Sequence, residues 1–361
     1  MATVFANQFD SGSADEPAIE AAAGSVAGKV AVPSEPETSS EGSAPKKSGP
    51  SPLAGLIGKW GKSLIAPVLG ILIFIGLWAA LAPQVETSLG ALPGPVEVAE
   101  QGVSLVGEWQ AANEKEAQFY ADQDARNAEA IAAGNSAGVR NFEYAGPPTF
   151  LDQIFTSLET VALGFALATV VAVPLGLAAG LSPLFNAAIN PLIQIMKPVS
   201  PLAWLPIVTM VISATITSAD PMLPKAFVIS ALVVMLCSLW PTLINTAVGT
   251  SSIDKDLLNV GRVLKLGWFA KLTRLVLPAS LPYIFTGMRL SLGVGWMVLI
   301  AAEMLAQNPG LGKFVWDEFQ NGSSQSLARI MFAVVVIGFI GFGLDRIMMA
   351  LQSLVSKNHK I

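Results

Sequence analysis

An all-α integral membrane protein with six membrane-spanning helices is the fold class the sequence predicts, on three observations. Of 361 residues, 52% are hydrophobic and only 13% are charged, against about a quarter charged in an ordinary soluble domain. Six apolar stretches are each long enough to cross about 30 Å of hydrocarbon at about 1.5 Å per residue. Charge is segregated between these stretches, so the formal net charge of -5 averages over unlike segments.

Taken in order, residues 1–50 are rich in Ala, Ser, Glu, Pro and Gly, with no aromatic after Phe9. They cannot bury enough apolar surface to offset ordering entropy and are expected to be a disordered tail. Asp10, Asp15, Glu16 and Glu20 stand where a signal peptide would be basic and then apolar, so the tail is expected to be retained. Residues 51–85 hold the first span, which is uncharged from Ser63 to Val85 and preceded by Lys46, Lys47, Lys59 and Lys62. Basic residues beside the first span favour a cytoplasmic N-terminus.

Residues 86–150 form an acidic connection. Between Glu86 and Glu143 there are ten acidic residues against three basic ones, which suits the periplasmic side. Val96 to Ala133 is built of good helix formers, so one or two surface helices are expected, either as a receptor surface or as a solvated insertion. Residues 151–356 carry five further spans, at about Thr156–Leu181, Ala187–Ser213, Lys225–Val248, Pro282–Leu305 and Arg329–Leu354. The loop from Ala214 to Pro224 holds only Asp220 as a charge. The segment from Asp254 to Arg274 carries Lys255, Arg262, Lys265, Lys271 and Arg274 against two aspartates. Six crossings from a cytoplasmic N-terminus place that basic segment and the C-terminal Lys357 and Lys360 inside, and the acidic connection outside.

Catalytic signatures are missing. Cys237, the one cysteine, lies in an apolar run and cannot form an intrachain disulfide, and His359, the one histidine, is far from it. The sequence offers no His and Cys cluster for a metal and no glycine-rich phosphate loop, so no cofactor is expected in this chain and ATP is not expected to bind it. Charged residues at membrane depth are few, and each faces a bundle interior, water or a partner because hydrocarbon costs it about 2.5–3.5 kcal/mol on insertion scales. Lys197 opens KPVSPLAWLP, where Pro198, Pro201 and Pro206 remove helix hydrogen bonds, and broken backbone at this depth belongs on protein or beside a cavity. Lys197, Ser200 and Trp204 are therefore candidates to line a pathway and face an anion, unless Lys197 snorkels or pairs with Glu159 or Glu303. Arg289, Trp296 and Glu303 on the fifth span complete the candidate set. Arg289 has lipid phosphate or a partner as its alternative ligand, and Glu303 has a capping or pairing role.

Read as a helix, Asp254–Arg274 is leucine-rich, basic and interrupted at Gly267. Amphipathicity alone leaves two readings open, a helix on the membrane surface and one docked in a partner's groove. Its tail, Leu275, Leu277 and Pro278, resembles the cytoplasmic loop pattern of binding-protein-dependent ABC importer permeases: EAA, three residues, G, nine residues, then I-x-L-P. Asn259, Val260 and Gly261 replace EAA, and Lys265 replaces the glycine. The blocks Leu277–Leu305, KPVSPLAWLP and Asn308–Ile330 are similar to the nitrate, bicarbonate, sulfonate and taurine permease group. They are most similar to nitrate permeases, in which an altered EAA head is usual.

The resemblance implies six transmembrane helices of the type I ABC importer permease kind, a homodimer in the bacterial inner membrane with both termini cytoplasmic. A coupling helix at about 254–274 would dock on two cytoplasmic ATPase subunits through Leu257, Leu258, Asn259, Gly261, Arg262, Val263, Leu264, Lys265 and Gly267, ending at Pro278. A periplasmic binding protein would deliver the anion, with nitrate or nitrite expected and sulfonate, taurine, bicarbonate or cyanate as alternatives. An ATPase-independent channel or carrier is the competing class, and a membrane enzyme would lack a catalytic pair.

Overall fold

The computed structural model describes residues 52–87, 90–135, 138–218, 223–323 and 325–357, with side chains from Ile65 onward except at 255, 356 and 357. The tail expected at 1–50, Asp220, His359 and Lys360 lie outside the described residues. The chain divides into two units between Lys62 and Ser63, and the described part of the first is helical.

The first helix, α1, is Pro52–Leu81, and a two-stranded ribbon pairing Glu86 with Ala91 and Thr87 with Gly90 follows it. The acidic connection holds one long helix, α2 (Pro95–Ala132), at whose start Glu97 Oε2 accepts the Gly94 N–H at 3.1 Å. Then come α3 (Phe150–Leu181), α4 (Pro183–Met196), α5 (Pro201–Thr215) and α6 (Lys225–Ser251). Next are α7 (Lys255–Val263), α8 (Trp268–Lys271), a π-turn at Leu272–Val276, and α9 (Leu277–Ala306). The chain ends with α10 (Leu311–Asn321) and α11 (Ser326–Lys357).

Among the described residues, five helical stretches have the length and hydropathy to cross a membrane: Ile65–Gln84, Phe150–Leu181, Lys225–Ser251, Trp268–Ala306 and Ser326–Val355. With the pair α4 and α5, which pass together as one broken stretch, the count reaches six; what needs correction is its continuity. Ala187–Ser213, expected as one span, is two helices, α4 and α5, bent by 101° at their break. Pro198 and Pro201 bring no backbone N–H, and the residue before a proline is driven towards extended backbone. Ser200, before Pro201, has φ -64° and ψ 142°, and its Oγ accepts the Leu202 N–H at 3.3 Å to start α5.

The basic segment is also two pieces and not one helix over 254–274. Asp254 caps α7 by accepting the Asp256 N–H at 2.9 Å. At the other end Lys265 takes the left-handed conformation, φ 51°, while its N–H bonds the Arg262 carbonyl and the Leu266 N–H bonds the Gly261 carbonyl, each at 3.0 Å. This is the Schellman closure, which normally uses glycine at that position. From Trp268 the chain runs without a break into α9, so the turn at 264–267 is where the amphipathic helix parts from the span.

The core is a three-helix stack of α3, α6 and α9. Along α3, Thr160, Gly164, Ala168, Ala172, Gly176 and Gly180 recur every four residues, one side of a helix, and small residues there let backbones approach. A Cβ at Gly164 would lie 2.6 Å from the Ala231 carbonyl oxygen of α6, and one at Gly287 of α9 would lie 2.9 Å from the Thr242 Cα. Pro241 interrupts the α6 ladder, and the Thr242 N–H is taken by Ser291 Oγ of α9 at 3.0 Å, with the two hydroxyls 2.7 Å apart. Val233, Val234 and Leu299 of the same helices are fully buried and share one apolar cluster. The helix α2 is tied to α10 and α11 where Arg329 pairs with Glu108 and, at 2.8 Å, with Glu318.

Candidate functional site

Each sequence-nominated residue now has a place. Lys197 and Ser200 are exposed at the α4–α5 bend. Trp204 is in the first turn of α5, half-buried, and its Nε1 is buried without a hydrogen-bond partner. The bend therefore gathers a cation, a capping hydroxyl and an indole N–H within eight residues, where helix hydrogen bonds are broken. Lys197 makes no ion pair with Glu159 or Glu303 among the described residues; Glu159 is exposed and Glu303 is wholly buried.

Arg289 and Trp296 are on α9 facing α11. The Arg289 guanidinium grips Asp345 through Nε on one carboxylate oxygen and through Nη2 on the other, the latter at 3.0 Å. Arg346 reaches the same carboxylate through Nη2 at 3.1 Å. Trp296 is buried, and its Nε1 donates to the Ile337 carbonyl at 3.0 Å.

Glu303 is the centre of a third cluster, at the far end of α9. Ser157 Oγ of α3 lies 2.9 and 2.8 Å from the two carboxylate oxygens and donates to them, and the Gly312 N–H donates at 3.0 Å. Ser157 Oγ in turn accepts the Leu311 N–H at 2.9 Å, and Asn308 Nδ2 reaches Thr160 Oγ1 at 3.2 Å. A Cβ at Gly310 would run into the Glu303 carboxylate, so the chain there passes flat against it. Glu303, Ser157 and Thr160 are all 0% exposed. The carboxylate thus pins the turn from α9 into α10 onto α3. Ser157, Thr160, Asn308 and Gly312 were not among the residues singled out from sequence. The four-residue spacing of small residues starting at Thr160 and the Gly310-x-Gly312 turn after Glu303 were the available signals.

On α7 the apolar side chains are turned out: Val263 is 80% exposed, Leu264 63% and Val260 49%. Leu257 is also exposed, and Leu258 is half-buried. Arg262 Nη1 donates to Asn259 Oδ1 at 3.0 Å, so both are ordered along the exposed side. Gly261 is buried, and a Cβ there would meet Leu275 Cδ1 at 2.7 Å. Gly267, the N-cap of α8, has open space around it. Trp268 and Phe269 follow at 72% and 71% exposure, and Pro278, half-buried in the first turn of α9, closes the segment. No hydrogen bond or ion pair among the described residues joins the α4–α5 bend, the Arg289 pair and the Glu303 cluster to one another.

Residues 172–358 match the family described as the inner membrane component of binding-protein-dependent transport systems. The chain is 38% identical over 203 residues to a nitrate import permease protein of Synechocystis sp., covering 56% of this chain and 69% of that one. Over 306 residues it is 30% identical to a nitrate import permease protein of Leptolyngbya laminosa, with 84% and 92% covered. It is also 37% identical over 207 residues to a bicarbonate transport system permease protein of Synechococcus elongatus, with 57% and 69% covered.

Proposed function

Because the chain belongs to the family of binding-protein-dependent transport system inner membrane components, we propose that it is the permease subunit of an importer for nitrate or nitrite. The similarity to nitrate import permeases, which extends over 92% of one of them, carries this reading. Bicarbonate is the second reading, favoured by the 37% identity to a bicarbonate permease.

In this proposal two copies of the chain form the pathway, two ATP-binding subunits supply the energy and a periplasmic protein delivers the anion. The exposed apolar surface of α7 and the Trp268–Phe269 step supports docking to the ATP-binding subunits, since contiguous apolar surface outside the bilayer marks an interaction site. The α7 side is then cytoplasmic, in keeping with its excess of basic residues, and the acidic α2 lies outside. Lys197, Ser200 and Trp204 at the α4–α5 bend supply the pathway's anion contacts: a cation, hydroxyl and indole N–H beside broken backbone. Arg289, Trp296 and Glu303 are already engaged between helices and hold the frame. Drawing the two α7 segments together on ATP binding moves α9 with them, because Gly261 of α7 packs against Leu275 and the chain from Trp268 to Ala306 is unbroken.

The test is ATP hydrolysis by the complex reconstituted in liposomes with its binding protein. Nitrate or nitrite is expected to stimulate it. Stimulation by bicarbonate or taurine and not by nitrate overturns the assignment of the anion, and anion uptake without any ATP-binding subunit overturns the permease reading itself.

A further inference from the structure

Between α9 and α11 lies a cavity of about 210 Å³ lined by Arg289, Leu292, Gly293, Trp296, Leu344 and Asp345, with Gly341 behind Trp296. The two helices run antiparallel, since Arg289 meets Asp345 while Trp296, further along α9, meets the earlier Ile337 of α11. Their near ends, Ala306 and Ser326, are joined by the short α10 segment.

Depth follows from helix rise. At about 1.5 Å per residue, Arg289 lies about 26 Å along α9 from Ala306, and Asp345 lies about 28 Å along α11 from Ser326. With those ends at one boundary of a hydrocarbon layer about 30 Å thick, the ion pair reaches the opposite boundary, on the side of α7. There the pair is within reach of the phospholipid headgroups of that leaflet. Arg289 lines the cavity, and Arg346, next to the lining and 4.9 Å from the centre of the Phe342 ring, shares the single Asp345 carboxylate with it, so the group at this end of the cavity keeps one surplus positive charge. From this end, the mouth, the lining turns apolar along Leu292, Gly293, Leu344 and Trp296 towards the membrane interior.

We propose that this cavity is a binding site for an anionic glycerophospholipid of the leaflet on the α7 side, with its phosphate at Arg289 and Arg346 and the start of an acyl chain beside Gly293 and Trp296. A cationic mouth within reach of the headgroups, opening into an apolar slot between helices, matches the two parts of such a lipid and not a hydrated free anion. The proposal requires only that the chain span a membrane; it does not depend on which anion is transported.

The experiment uses the detergent-solubilised full chain, incubated with an equimolar dispersion of phosphatidylglycerol and phosphatidylcholine, repurified and analysed for bound lipid by mass spectrometry. Phosphatidylglycerol is expected to be enriched about fivefold over phosphatidylcholine, the value of one surplus cation facing anionic lipid. Arg346→Gln removes the surplus charge and leaves the Arg289–Asp345 pair. Gly293→Leu fills the slot from a position where a Cβ meets nothing within 4 Å, so the fold is not strained. Each variant is expected to bring the ratio close to that of the input. Absence of enrichment, or enrichment unchanged in both variants, overturns the proposal. Loss of bound phosphatidylglycerol in excess inorganic phosphate reassigns the cationic mouth to a free anion and overturns it as well.

Discussion

If Glu303 pins the α9–α10 turn to α3 through Ser157, the two side chains must be energetically coupled, and the coupling has a predictable size. Glu303→Gln keeps the volume and one acceptor oxygen for the Gly312 N–H, 3.0 Å away in the parent chain, but turns an amide NH2 towards Ser157 Oγ. That replaces a hydrogen bond to a charged group, worth about 1.5–3 kcal/mol. Ser157→Ala loses the same bond and also orphans the Leu311 N–H, which donates to Ser157 Oγ at 2.9 Å in a fully buried setting, adding about 1–3 kcal/mol. In the double variant the shared bond is lost only once. A double-mutant cycle should therefore return a coupling of about 1.5–3 kcal/mol, while the orphan cost stays with Ser157→Ala. The assay is loss of helical circular dichroism as SDS is titrated into the solubilised chain, with the four proteins compared at matched lipid content. Additivity within about 0.5 kcal/mol, the behaviour of independent sites, would refute the pin.

Three further outcomes follow from the same geometry. Gly267→Trp is expected to leave the subunit folded, because a Cβ there meets open space, yet to abolish co-purification of the ATP-binding subunits; retention of the complex would count against docking through this turn. Lys265→Gly should raise stability by about 1 kcal/mol in the same SDS titration by relieving the left-handed conformation at φ 51°, and a loss of stability would contradict the Schellman closure of α7. Lys197→Gln should leave membrane insertion and ATPase association intact while lowering anion uptake by about tenfold, the scale of one charge-assisted hydrogen bond; uptake equal to the parent's would remove Lys197 from the pathway.

Several elements were legible from single segments because the signal is local. The uncharged run from Ser63 to Val85 and the apolar runs that became α3, α6, α9 and α11 announce spans by length and composition alone. The proline cluster at 198–206 announced broken backbone, but not that the break turns the chain by 101°, which depends on how α4 and α5 each pack. At 254–274 the periodicity was readable, while the chain's actual parting at Lys265 was hidden by a residue type that seldom adopts positive φ. Arg289 and Glu303 stood out as charges at membrane depth, but their partners lie 56 and 146 residues away.

The sequence by itself determined that this chain lives in a membrane, where its unbroken spans run and which connections are acidic or basic. Lipid as a solvent requires every backbone group to be satisfied within a segment, so each span must declare itself in its own residues. Only the tertiary structure decided which face of each helix meets which neighbour. Once every face is apolar, hydropathy no longer distinguishes inside from outside. The rotation of α3, α6 and α9 is then set by small-residue approach and by a few hydrogen bonds such as Ser291 to Thr242 and Ser157 to Glu303.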